Sequence, residues 1–174
     1  MECLTILQER RSIRKYTGEH VSDADLQEVL EAGLLSQSSR GRRPWELIVV
    51  RDREVLEKLS HCRDHGAAML ADADCAILVF ADTEVSDVWT EDCSIVMSNM
   101  HIMADSLGLG SCWIQGRLRV AEDGRSTEDY CRELLGVPER FALEAILSLG
   151  DAAEDPEPHS LEELDHTKIH YDKF

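Results

Sequence analysis

Apolar residues recur at helical spacing through Glu91 to Gly116, EDCSIVMSNMHIMADSLGLGSCWIQG. Val96, Met100, Met103 and Leu107 mark one stripe in steps of four, three and four, and Ile95, Ile102 and Leu109 mark a second beside it. Ser94, Ser98, His101 and Asp105 leave only a narrow polar strip between the two. One stripe is therefore expected to face the chain's own core and the other a second surface, for which another subunit is the simplest candidate. Thr90 is the expected N-cap, with Glu91 and Asp92 favourable to the helix dipole. Leu107-Gly108-Leu109-Gly110 is the expected stop, since glycine takes the left-handed conformation after a helix end. Ser111 to Gln115 then reads as a strand.

The rest of the chain alternates between the two periods. Leu4 to Glu9 predicts a short helix. Ser22-Asp23-Ala24-Asp25 caps a second, whose apolar face is Leu26, Val29, Leu30, Gly33 and Leu34. Glu46 to Val50 reads as a strand, Arg53 to Cys62 as an amphipathic helix, and Ala67 to Ala71 as a further turn or two. Cys75 to Ala81 is a continuous apolar run, as a strand covered on both faces requires. A helix from Thr127 to Leu135 with Gly136 as its stop precedes the last core strand, Leu143 to Leu149. From Asp151 the composition turns acidic and proline-bearing. Ile169 and Tyr171 alternate as in a terminal strand that pairs with a sheet edge, the chain's own or a partner's. Helices interleaved with about four core strands predict one α+β or α/β sandwich domain, residues 1–174, with helices on both sheet faces and 151–174 as an extension.

Charge narrows the partners. The 174 residues carry a formal net charge of −17, which argues against nucleic acid or an anionic membrane, since both need a basic face. No apolar run approaches the length of a bilayer span, and Met1-Glu2-Cys3 lacks a signal peptide's basic start and apolar segment, so a cytoplasmic protein is expected. Cys3, Cys62, Cys75, Cys93, Cys112 and Cys131 form no CxxC pair and read as free, mostly buried thiols. His61-Cys62-x-x-His65 and His166-x-x-x-His170 have metal-like spacing without the further ligands a zinc enzyme needs, so no metal is expected.

Against that acidity, two basic windows stand out. In Arg10-Arg11-Ser12-Ile13-Arg14-Lys15-Tyr16, Arg10 and Arg14 would share a side of a helical end and, with the Ser12 hydroxyl, suit a phosphate; a solvated basic turn is the other reading. Ser36-Gln37-Ser38-Ser39-Arg40-Gly41-Arg42-Arg43-Pro44-Trp45 combines small residues that admit a flat ligand with three arginines and a proline that fixes an extended lead into the strand. There is no GxGxxG after the first strand and no GxxxxGK[ST], so neither a Rossmann dinucleotide site nor a P-loop is supported.

Three windows together, RRSIRKY, SQSSRGRRPWELIVV and DSLGLGSCWIQ, with the closing DHTKIHYDKF, resemble the nitroreductase family of FMN-dependent flavoproteins across nearly the whole chain. The resemblance implies an α+β three-layer sandwich with a central, mostly antiparallel sheet, and a homodimer whose C-terminal tails pair at the partner's sheet edge. Two FMN molecules would lie at the interface, each held by both subunits. Arg10, Arg11, Ser12 and Arg14 would bind the phosphate and ribityl chain, Ser38, Ser39, Arg40 and Arg43 would lie along the flavin ring, and Trp113, Ile114 and Gln115 would approach it through backbone. Many relatives have a proline in place of Gln37, an asparagine in place of Gly41 and a glutamine in place of Arg43. An arginine there would set a cation by the flavin N1–C2 carbonyl, and any of Arg40, Arg42 and Arg43 is a candidate to reach the ring. The short Asp82 to Thr90 segment implies a more open site than relatives with a longer excursion.

The implied activity is ping-pong transfer of a hydride from NADH or NADPH, through flavin N5, to a nitroaromatic, quinone or similar acceptor, with no catalytic side chain. His101 reads as a helix-surface or interface histidine and Cys112 as a packed thiol. The rival readings are a flavin-dependent dehalogenase or flavin-degrading enzyme of the same fold, a non-catalytic FMN-binding store or redox sensor, and a metal-binding interaction protein using His61, Cys62 and His65.

Overall fold

The computed structural model describes residues 3–174. Its elements are α1 (Cys3–Glu9), α2 (Asp23–Leu34), β1 (Trp45–Val50), α3 (Arg53–Leu59), β2 (Cys75–Asp82), α4 (Trp89–Ser106), β3 (Gly110–Gln115), α5 (Thr127–Leu135) and β4 (Phe141–Gly150). The strands form one sheet in the order β1-β2-β4-β3, every pair antiparallel. That settles the choice left open between α+β and α/β in favour of α+β.

β2 and β4 are the central strands, which is why their sequences are nearly continuous apolar runs. One face of the sheet, with Leu78, Phe80, Ile114, Leu143 and Ile146, packs on Leu56 and Leu59 of α3 and Cys131 of α5. The other, with Ile77, Val79, Ala145, Leu147 and Leu149, packs on Leu26 and Val29 of α2 and on Val96, Met97 and Met100 of α4. Helices thus cover both faces. A fully buried side chain such as Phe80 contributes on the order of 1.5–3 kcal/mol by leaving water.

Local signals set most of the ends. Ser22 accepts the Asp25 N–H at 3.0 Å, Asp52 those of Glu54 at 2.9 Å and Val55 at 3.1 Å, and Ser126 that of Asp129 at 2.9 Å. Gly136 ends α5 with φ at 69°, where a side chain would be strained. On α4 the expected core stripe of Val96 and Met100 is buried. Ile95 and Ile102 are half-buried and belong to neither core, leaving the second stripe open as expected, although Leu109 joins the core instead.

Several expectations need correction. α4 begins at Trp89 with Val88 in the cap position and no side-chain cap, so Thr90 lies inside the helix. α3 stops at Leu59, and Ser60 to Cys62 continue as tight turns. The further turn expected at Ala67 to Ala71 is present, as a 3-10 helix at Ala68–Ala71. The alternating Ile169 and Tyr171 do not pair with the chain's own sheet: the tail makes 3-10 turns at Leu161–Glu163 and His166–Lys168, with Ile169, Tyr171 and Phe174 exposed. A strand with no neighbour to receive its backbone hydrogen bonds has nothing to hold it extended. Among the described residues no helix is long and apolar enough to cross a membrane.

Candidate functional site

The arginine window leaves α1 without continuing as helix, so Arg10 and Arg14 do not share a helical face. Residues 10–16 instead run alongside β3: Ser12 makes a parallel bridge with Ser111, and the Ile13 N–H donates to the Ser111 carbonyl at 2.9 Å. Ile13 and Tyr16 are buried and act as anchors. The Tyr16 hydroxyl donates to the Ile13 carbonyl at 2.9 Å and lies 2.7 Å from Ser148 Oγ. Burial raises its pKa, so it stays a donor at neutral pH.

The four candidate phosphate residues divide. Arg10 turns inward, with Nη1 2.8 Å from His101 Nε2. Arg14 is exposed and directs Nη1 to the Ser12 carbonyl at 3.2 Å. Arg11 points the other way, donating to the Glu157 carbonyl of the tail. It lines a cavity of about 160 Å³ shared with Glu9, Asp105, Glu154 and Asp155, an acidic setting unsuited to phosphate. Arg10, Ser12 and Arg14 remain the candidate phosphate ligands, with the Glu154 carboxylate accepting the Arg14 N–H at 2.6 Å beside them, and Arg11 is turned toward the tail.

His101 is not a surface residue. It is 7% exposed, its Nδ1 is 2.5 Å from Ser111 Oγ, and burial together with the Arg10 charge lowers its pKa to about 4. Cys112, next to Ser111, is buried as expected. Burial raises its pKa against the lowering effect of Arg14, Ser12 and Arg10, so it remains a thiol.

The loop window is fixed at the opposite end of α4. Asp92, 2% exposed, accepts the Ser39 N–H at 2.7 Å on Oδ1 and the Ser86 hydroxyl at 3.0 Å on Oδ2. Ser38 Oγ accepts the Arg43 N–H at 2.9 Å. Arg40 and Arg43 take φ of 54° and 48°, uncommon for residues with side chains. Arg42 is committed to the Val85 carbonyl at 2.8 Å. Among the described residues the Arg40 and Arg43 side chains have no such partner, which leaves these two as the loop's available cations. Asp92 and His101 are nine residues apart on one helix, about 14 Å at 1.5 Å per residue. The loop and Arg10 are therefore anchored at places about 14 Å apart along α4.

At the far end of β3, Ile114 is fully buried in the core, so only its backbone can meet a ligand. Trp113 Nε1 donates to Gln115 Oε1 at 2.9 Å, and Gln115 Nε2 reaches the Glu144 carbonyl at 3.3 Å. Glu144 is the extra residue of a β-bulge: Val79 pairs with Ala145 and Phe80 with Leu143. The bulge turns its carboxyl toward α4, where Oε1 accepts the Ser94 hydroxyl at 3.3 Å. Oε2 is buried without a partner among the described residues, and burial raises the pKa. Its signal in the sequence is a single charge inside the apolar LEAILSL. Asp92 offers no comparable signal, because an acid in a first helical turn is ordinarily solvated.

His61 bonds Glu122 at 2.7 Å while Cys62 is buried, so the His61, Cys62 and His65 group does not converge. Among the described residues no three His, Cys, Asp or Glu side chains gather as a metal site would need.

Known proteins share this fold. The chain matches the sequence profile of the nitroreductase family over residues 7–62 and 60–151. It is 36% identical, over 99% of both chains, to an Archaeoglobus fulgidus protein provisionally named NADH dehydrogenase/NAD(P)H nitroreductase. Among solved structures it is similar to an FMN-dependent nitroreductase from Clostridium difficile, with TM-score 0.96 and 44% identity over 98% of this chain and 99% of that one. A nitroreductase-like protein from Desulfovibrio desulfuricans in complex with FMN gives TM-score 0.80 and 26% identity, covering 100% of this chain and 98% of that one. The profile spans most of the chain and the structural likeness extends end to end: the chain belongs to the nitroreductase family.

Proposed function

We propose that this protein is an FMN-dependent oxidoreductase that takes a hydride from NADH or NADPH and passes it to a small acceptor such as a nitroaromatic or quinone, in ping-pong fashion at one site. The observation that carries the reading is the bridge between Ser12 and Ser111, which joins the arginine window to the strand that leads to Trp113 and Gln115. Donors suited to a phosphate at one end and open backbone on an outer strand at the other match a flavin mononucleotide in chemistry and order. Arg10, Ser12 and Arg14 would hold the phosphate, the backbone of Trp113 to Gln115 would meet the ring, and Ser38, Ser39, Arg40 and Arg43 would lie along it. When bound, FMN supplies the hydride-accepting position at N5.

The chain's residues bind and orient. Among the described residues neither nearby candidate is free to act as a general acid: Cys112 is buried and His101 is committed on both nitrogens. The apolar stripe of α4 that neither core covers supports a homodimer. The open stripe of Ile95 and Ile102, with Ser98 between them, offers a self-complementary face. Two α4 helices crossing there antiparallel would bring the Asp92 end of one beside the His101 end of the other. The exposed Ile169, Tyr171 and Phe174 would then find cover at the partner's sheet edge.

The test is an absorption spectrum of the purified protein, followed by anaerobic addition of NADH and of NADPH and then an acceptor. Flavin bands that bleach with a donor and return with a quinone or nitroaromatic are expected. Bands that persist with both donors would mean a binding module, and a protein unable to take up FMN would end the proposal.

A further inference from the structure

Building on that reading, we propose that His101 is a positioning residue for the cofactor phosphate: as its Nδ1–H tautomer, anchored on Ser111, it accepts an Arg10 N–H at Nε2 and holds that guanidinium toward the phosphate. A guanidinium has donors only, so at 2.8 Å from Arg10 Nη1 the Nε2 atom must present its lone pair. The single ring proton then sits on Nδ1 and is donated to Ser111 Oγ at 2.5 Å. Ser111 is itself fixed, because its carbonyl accepts the Ile13 N–H at 2.9 Å. The chain of contacts closes on itself through Arg10, His101, Ser111 and Ile13, joining the end of α1, the middle of α4 and the start of β3.

Arginine is rich in rotamers, and a free one must be ordered each time it binds an anion. His101 takes one N–H of the five and leaves the others for the ligand. The arrangement requires a neutral ring, since an imidazolium has two donors and would repel Arg10. Burial and the Arg10 charge favour the neutral form. The next charged residue along the helix is Asp105, whose carboxyl feels Arg10 and Glu9 from the end of α1. From β3 the ring meets the neutral Ser111 hydroxyl, beside the Cys112 thiol. Among the described residues no carboxylate bonds to the ring to stabilise its charge, and Arg10 is the one cation that bonds to it.

The test compares FMN and riboflavin binding to apo-protein by flavin fluorescence, for the unaltered chain, His101→Phe, His101→Gln, Arg10→Ala and the Arg10→Ala/His101→Phe double variant. Phenylalanine fills the space without an acceptor and should weaken FMN about tenfold to a hundredfold. Riboflavin, which lacks the phosphate, should be unaffected, and glutamine, whose Oε1 can accept from Arg10, should restore FMN binding to within about threefold. In the Arg10→Ala background His101→Phe should add nothing. Equal losses for both flavins, or a loss that persists without Arg10, would show a structural role and overturn the proposal. An unaltered chain that binds neither flavin would instead overturn the functional reading, and the proposal with it.

If the phenylalanine variant does not fold, ¹⁵N NMR of the apo-protein decides. An unprotonated Nε2 and a His101 pKa that rises in Arg10→Ala are expected. A proton on Nε2, or an unchanged pKa, would refute the pairing.

Discussion

Gly110→Ala tests whether the arginine window rides on β3. A Cβ at residue 110 would lie 2.8 Å from Ile13 Cγ2, 3.1 Å from Ile13 Cβ and 3.1 Å from Ala152 Cβ. Carbon atoms pack best at about 3.5–4.0 Å, so the shortfall is about 0.7–1.2 Å on the Ile13 side and about 0.4–0.9 Å on the Ala152 side. Neither neighbour can swing aside. Both Cβ atoms move only with their backbones, and those are tied by Ile13 N–H to Ser111 carbonyl at 2.9 Å and Ala153 N–H to Lys15 carbonyl at 2.9 Å. The segment carrying Arg10 to Arg14 must shift. Such overpacking costs about 1–3 kcal/mol, offset by about 0.4–1 kcal/mol from the stiffer unfolded chain. A net loss of about 1–2 kcal/mol lowers the melting temperature by about 2–4 °C per kcal/mol in a chain of this size. Urea unfolding followed by circular dichroism, at one protomer concentration, should show a lower midpoint with an unchanged slope. Gly108→Ala is the control: φ is 76° and no atom lies within 4 Å of the added Cβ, so about 1–2 kcal/mol of backbone strain arises with no displacement of Ile13. Both variants should lose stability, but only Gly110→Ala should weaken FMN binding. If FMN affinity is unchanged in Gly110→Ala, or falls equally in both, the arginine window is not positioned by this contact.

Two further substitutions probe the buried carboxyls. Glu144→Gln removes a titration that burial opposes: the folded pKa lies above the unfolded value of about 4.3, so the wild type is unpenalised below that pH and loses stability as pH rises through the folded pKa. The glutamine variant should therefore gain on the wild type from about pH 4 toward neutrality in urea unfolding, and a difference independent of pH would contradict this. Asp92→Ala leaves the Ser39 N–H and the Ser86 hydroxyl without their acceptor, at a cost of about 2–4 kcal/mol, whereas Asp92→Asn keeps one acceptor and should cost about half as much. Tryptic nicking after Arg40 or Arg42 should accelerate in the alanine variant, and an unchanged rate would mean that Asp92 does not hold the loop.

What was legible in the sequence is what a few consecutive residues decide. Ser22 and Gly136 sit at helix ends because their own side chain, or its absence, satisfies backbone groups within one turn. β2 was legible because a strand covered on both faces has no polar position to place. The misread elements depend on distant partners. Thr90 has the chemistry of a cap, yet α4 starts one residue before it, after the turn that brings Ser86 to Asp92. Ile169 and Tyr171 alternate as a strand does, but alternation sets which face a side chain takes and supplies no neighbouring backbone.

The site divides along the same line. Arg10, Ser12, Arg14 and the loop arginines were singled out because cations concentrated in an acidic chain are conspicuous. The residues that orient them were not, because a helix period cannot separate a buried polar side chain from an exposed one. His101 falls in the polar strip of α4 with Ser94, Ser98 and Asp105, and the arrival of Arg10, 91 residues away in sequence, and of Ser111 on β3 makes burial tolerable there. Glu144 is the converse case. A charge amid Leu143, Ala145 and Ile146 was visible as an anomaly, but its direction follows from a bulge in the pairing with β2, a register event set by two strands together. Recognition therefore reached the groups that would touch the ligand and stopped at those that aim them, and substitutions at His101, Asp92 and Glu144 separate those two layers.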